Sequence, residues 1–117
     1  MKLLLAEEPS DNRQALRTTL ATETTFDLIG EACTAQEALD LAAILQPEVI
    51  LLAPNLPDMS GARATAEIIS RFPGTQVIAL RSDDCDQFEI DEMIAAGACG
   101  CLSLRLRPLA LNLARRS

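Results

Sequence analysis

The chain has 117 residues, 49% of them apolar and 23% charged, which suits one compact domain and is too short for two. Net charge is −7 and there is no His, which excludes a histidine-dependent triad, a zincin site and a phosphohistidine. Up to position 104 the chain carries six basic and seventeen acidic residues, net −11, a body that repels phosphate backbones.

No apolar run approaches the roughly 20 residues of a membrane helix. Met1-Lys2 and a short apolar stretch do not make a secretory signal. A cytoplasmic location with reduced thiols at Cys33, Cys85, Cys99 and Cys101 is expected. In chain order, Lys2–Ala6 is a strand that stops at Glu7-Glu8. Residues 10–22, with Leu16 and Leu20 four apart, predict a helix capped by Ser10 or Asp11. Phe26–Cys33 predicts a strand. Thr34-Ala35-Gln36-Glu37 matches a capping box that opens a helix with Ala38, Leu39, Ala42 and Leu45 on one face, ending at Pro47.

Glu48–Ala53, apolar without a break from Val49, reads as a strand buried on both faces. Pro54-Asn55-Leu56-Pro57-Asp58-Met59-Ser60-Gly61 reads as a loop. Residues 62–72 give a third helical pattern with Ala62, Ala66, Ile69 and Phe72 as its apolar side, broken by Pro73-Gly74. Gln76–Leu80 is a strand. Ser82-Asp83-Asp84 starts a fourth helix through about Ala96, closed by Gly97. Its acidic first turn complements the helix dipole and reads as a solvated start. Cys99–Leu104 is the last strand. Pro108 and Leu109–Arg116 open a short fifth helix.

Strand–helix alternation with short connections predicts a parallel sheet with helices on both faces. For five strands the flavodoxin-like three-layer α/β sandwich, order 2-1-3-4-5, is the natural topology. Its functional crevice lies at the C-terminal ends of the strands, beside the switch between strands 1 and 3. That selects Glu7 and Glu8, Ala53 and its loop, Arg81 and Ser82, and Leu104. The paired acids read either as a seat for a divalent cation, which favours carboxylate oxygens, or as solvated strand-end residues.

Val49-Ile50-Leu51-Leu52-Ala53-Pro54-Asn55-Leu56-Pro57-Asp58-Met59-Ser60-Gly61 resembles the phosphoacceptor strand and loop of bacterial response-regulator receiver domains. Leu4-Leu5-Ala6-Glu7-Glu8, Ile29-Gly30-Glu31-Ala32, Phe72 through Leu80 and Ala95 through Leu102 extend the resemblance over about residues 2–112. The details are most similar to receivers that precede a helix-turn-helix of the LuxR or NarL type.

The resemblance implies a metal-binding acidic pair at Glu7 and Glu8, lengthened from the family's usual Asp. It places the phosphoacceptor Asp at Ala53, and a carbonyl that the family offers to the metal at Asn55. The hydroxyl that binds the phosphoryl oxygen falls on Arg81, with Ser82 next. The conserved Lys falls on Leu104 and the aromatic switch residue on Cys101. Only the acidic pair keeps its chemistry, so the resemblance implies a degenerate pseudo-receiver with no catalytic residue and no cofactor. Arg81 is expected either to bridge to Glu7 or Glu8 as a fixed internal cation or to point into solvent.

Asp58 and Asp83-Asp84 lack surrounding cations and are set aside as substitute acceptors. Cys99-Gly100-Cys101 lacks further metal ligands. Residues two apart on a strand share a face, so both thiols are expected in the core.

The chain is therefore expected to be one receiver-like domain over 1–117, non-enzymatic and without membrane contact. It would be the N-terminal part of a longer transcriptional regulator that reaches DNA only through a further C-terminal domain. The expected partners are a second copy, through the first, fourth and fifth helices and the fifth strand, or a regulatory protein. The alternative is a small-ligand or thiol-redox sensor on the same fold.

Overall fold

Strand β1 (Lys2–Ala6) is apolar at four successive positions because both of its faces are covered. Leu3 and Leu5 enter one core cluster, and Leu4 and Ala6 the other. In this computed structural model residues 1–8, 17–18, 25–81 and 86–103 are described. Strand β2 (Asp27–Ala32), helix α1 (Ala35–Leu45), β3 (Val49–Leu52), α2 (Gly61–Arg71), β4 (Gln76–Arg81), α3 (Gln87–Ala95) and β5 (Gly100–Ser103) follow. The sheet order is β2-β1-β3-β4-β5, and every neighbouring pair is parallel. This is the flavodoxin-like arrangement that the alternating pattern predicts. Ile50, Leu52, Val77 and Ala79 meet the buried sides of α1, α2 and α3 on one face of the sheet. Val49, Leu51, Ile78, Leu80 and Leu102 form the cluster on the other.

Helix ends follow from local chemistry. Thr34 Oγ1 accepts from the Glu37 amide at 3.0 Å, half of the expected capping box. The return bond lands one residue early, from the Cys33 amide to Glu37 Oε1 at 2.6 Å. Helix α1 stops at Gln46, which is left-handed (φ 50°), just before Pro47. At the end of α3, Gly97 has φ +122° and its amide donates to Ile94 O, while the Ala98 amide donates to Met93 O, both at 3.0 Å.

Two expectations change. The buried side of α2 is Gly61, Ala64, Thr65 and Ile68; Ala62, Ile69 and Phe72 flank it and Ala66 is exposed. Thr65 can be buried because its hydroxyl donates to Gly61 O at 2.7 Å. The described helix α3 begins at Gln87, where Asp86 and Glu89 form a reciprocal capping box; the expected start at Ser82-Asp83-Asp84 lies outside the described residues. Cys99 and Cys101 do not share a face: Cys99 packs against the cluster of Leu80 and Leu102, Cys101 against that of Val77 and Ala79. Cys99 lies before β5, where period-2 alternation does not yet hold.

Of the predicted helix over 10–22, Arg17 and Thr18 are helical; its other residues, including Ser10 and Asp11, lie outside the described ones. The predicted fifth helix, with Pro108, lies outside them as well. Arg17 Nε and Nη2 grip the Glu31 carboxylate of edge strand β2 at 3.0 and 2.7 Å.

Candidate functional site

Parallel pairing brings the C-terminal ends of β1, β3 and β4 to one edge. Ala6 pairs with Leu52, Leu52 with Ala79, and Arg81 with Ser103. The Ala53 amide donates to Ala6 O at 2.9 Å and the Glu7 amide to Ala32 O at 3.0 Å, so the strand-exit residues stand side by side. Glu7 is buried and Glu8 exposed. Ala53 is 8% exposed and offers only a methyl group, with no lone pair for a nucleophile or a metal ligand.

The loop after β3 is a compact structure. Asn55 and Ser60 form an antiparallel bridge, Leu56 and Met59 exchange amide bonds at 3.3 and 3.4 Å, and the Gly61 amide closes on Pro54 O at 2.7 Å. Leu56 is buried and anchors the loop in the core. Gly61 has to be glycine: a Cβ there would sit 2.7 Å from Pro54 Cα and 2.8 Å from Ala53 O.

Three polar side chains around this loop work on helix starts. Asp58 accepts from the amides of Ala35 and Gln36, the first two residues of α1, at 2.8 and 2.9 Å. Those bonds, Ala35 first and then Gln36, hold its carboxyl below the usual carboxylate range. Asn55 Nδ2 donates to Glu89 Oε2 of α3 at 2.7 Å. Arg81 Nη1 donates to Gln87 Oε1, at the first residue of α3. Among the described residues no ion pair joins Arg81 to Glu7 or Glu8; of the two placements left open, the guanidinium takes neither a bridge to that pair nor a bare solvent position, but is turned to Gln87 on the helix that follows its strand.

Glu7, Glu8, Ala53, Asn55 and Arg81 therefore gather at the predicted rim. Cys101, on β5 beside Ala79, is half-buried against the same cluster as Ala53. Ser82 and Leu104 lie outside the described residues. Among the described residues no group of three His, Cys, Asp or Glu side chains comes together to hold a metal ion. Ala53 brings no side-chain oxygen to a divalent cation here, so Glu7, Glu8 and the Asn55 carbonyl are the oxygen donors left at this point of the rim.

Sequence reasoning missed Gln87 and Glu89, and gave Asp58 no role. Asp86-Gln87-Phe88-Glu89 carries a visible capping-box signature that points to Glu89. Nothing local marks Asp58, whose partners lie 23 and 22 residues away.

A family model described as the response regulator receiver domain matches residues 3–113. The Bacillus subtilis transcriptional regulatory protein YhcZ is 34% identical over 98 residues, covering 84% of this chain and 45% of that protein. A protein-glutamate methylesterase/protein-glutamine glutaminase of Methanosarcina acetivorans is 32% identical over 73 residues, 62% of this chain and 21% of that protein. The receiver domain of the response regulator NarL from Mycobacterium tuberculosis superposes with a TM-score of 0.83 at 23% identity, covering 94% of this chain and 88% of that one, a likeness of fold. The chain thus spans less than half the length of YhcZ. With a match running through all five strands and the strand-end site they frame, this chain belongs to the response regulator receiver domain family.

Proposed function

We propose that this chain is a receiver that operates without phosphorylation, as the regulatory and dimerisation module of a response-regulator-type transcriptional regulator. One observation carries the reading. At the rim, β3 hands over to a buried alanine where a receiver requires a carboxylate that can be esterified. The surroundings agree with it. Arg81, at the position the resemblance gives to a phosphoryl-binding hydroxyl, is committed to Gln87. Cys101 stands for the aromatic switch residue, and the sequence puts Leu104 where the family keeps its Lys.

In this reading the domain is not an enzyme, acts in the cytoplasm, and transmits its state by packing against a second copy or a regulatory protein. DNA is reached through a further domain of the kind that the greater length of YhcZ leaves room for. Among the described residues no helix is long and apolar enough to cross a membrane. The thiol-pair form of the sensor alternative loses its basis, since Cys99 and Cys101 lie on opposite faces of the sheet.

The test is incubation with acetyl phosphate and Mg²⁺ followed by intact-mass measurement. The expected result is an unchanged mass. A gain of one phosphoryl group would overturn the reading.

A further inference from the structure

The rim residues have a second use that goes beyond the lost chemistry. The first turn of α3 is held from two separate strand ends. From the loop after β3, Asn55 Nδ2 bonds Glu89 Oε2 at 2.7 Å. From the end of β4, Arg81 bonds Gln87 Oε1. Glu89 is also the residue whose other oxygen, Oε1, accepts from the Asp86 amide at 3.3 Å, so the contact with Asn55 falls on the helix cap itself. Gln87 turns its amide nitrogen to Asp91, one turn on, at 2.9 Å, which passes the Arg81 contact into the second turn.

The same loop is anchored at its other side. Both oxygens of Asp58 bind the first two amides of α1. Between these ends the chain is stiff. The Asn55–Ser60 bridge, the buried Leu56 and the Gly61 amide on Pro54 O at 2.7 Å leave it little freedom. One short loop therefore touches the starts of two helices through charged or amide side chains, while Arg81 makes the second attachment to α3.

We infer that the loop over residues 54–60, together with Arg81, forms a cross-brace that fixes the first turn of α3 and couples it to the start of α1. A partner that displaces one end of the brace changes the stability of the helix start at the other end. No ligand at the rim is needed for this, because every link is made by the chain's own side chains. The brace couples the two helix starts mechanically, whether or not a phosphoryl group is accepted at the rim.

Hydrogen exchange on the chain, without any phosphodonor, tests it. In the double variant Asn55→Ala/Arg81→Ala the Ile90 and Asp91 amides should exchange about three- to tenfold faster, the factor expected for hydrogen bonds of this class. The β1 amides of Leu4 and Leu5 should keep their rates. Asp58→Asn, which touches α1 alone, should also accelerate Ile90 and Asp91, by a smaller factor that still exceeds any change at Leu4 and Leu5. Unchanged α3 rates in the double variant overturn the brace. A uniform acceleration that includes β1 also overturns it, since that reports global destabilisation. Unchanged α3 rates in Asp58→Asn overturn the coupling to α1. A phosphoryl adduct in the separate mass experiment refutes the proposed function and leaves these exchange results as they stand.

Discussion

Asp58 reaches across from the loop after β3 to the start of α1 and accepts the Ala35 amide at 2.8 Å, with the Gln36 amide at 2.9 Å on its second oxygen. Thr34 takes the Glu37 amide, so the first three amides of α1 are satisfied by two side chains from different parts of the chain. The bonds favour the ionised carboxylate, and its pKa lies below the ordinary value. The stabilisation is therefore fully present above the unfolded-state pKa, about 3.9, and is lost as pH falls through the lower folded value. Asp58→Asn should lower Tm by a few degrees at neutral pH, and the gap from the wild-type chain should shrink below about pH 4. Melting curves from pH 7 down to pH 3 check this. A gap that stays constant across that range means the carboxylate charge contributes nothing.

A methyl group at Gly61 has nowhere to go. Met93 Sδ, at 2.8 Å from the added Cβ, can swing aside, but Pro54 Cα and Ala53 O belong to the backbone of the rim itself. Gly61→Ala should cost about 1–3 kcal/mol, the usual range for overpacking. Urea unfolding measures it. Wild-type stability in this variant would mean that the loop can open without cost, and then it could not serve as a stiff support for Asn55 and Asp58.

The three central strands can be read from apolar runs broken by acids, prolines and glycines, because strands buried on both faces have no polar alternation to blur them, and the sheet order follows from the strand–helix alternation. The helix faces are harder. The core side of α2 includes Gly61 and Thr65, and a hydropathy pattern passes over both, since one is buried by close backbone approach and the other by an internal hydrogen bond. The rim positions follow from topology alone, because parallel strands must end at a common edge. What each rim side chain does could not be read there. From the sequence Arg81 could reach the acidic pair two strands away or a helix start, and in the folded chain it bonds Gln87. Asp58 finds partners more than twenty residues away, beyond any local pattern.

Cys99 and Cys101 provide a test of the sheet faces. Packed against opposite clusters, with Gly100 between them at the start of β5, their thiols point away from one another. A disulfide needs Cβ atoms about 3.5–4.5 Å apart with converging vectors. Mild oxidation of the folded chain should therefore leave no Cys99–Cys101 bridge in a non-reducing peptide map. Finding that bridge in high yield without loss of the folded state would contradict the assigned faces and revive a redox role.

Restoring a carboxylate at position 53 should not restore a working switch. In Ala53→Asp the new acid enters a buried position one strand over from Glu7. Two like charges about 4 Å apart repel by about 4 kcal/mol at an effective dielectric of 20 and by about 1 kcal/mol in water. The variant should melt below the wild-type chain, and Mg²⁺ should raise its Tm by completing an oxygen donor set that Ala53 leaves short. Position 81 still carries an Arg held by Gln87, and by sequence position 104 is Leu, so neither aligned position offers the hydroxyl or the Lys of a working receiver. Acetyl phosphate should then label only a minor fraction of the variant, with no change in its elution on size exclusion. Stoichiometric labelling with a shift in assembly would show that the missing hydroxyl and Lys are dispensable. An equal Mg²⁺ effect on the wild-type chain would show that Glu7 and Glu8 seat the ion without help from position 53, leaving the missing nucleophile as the alanine's sole consequence.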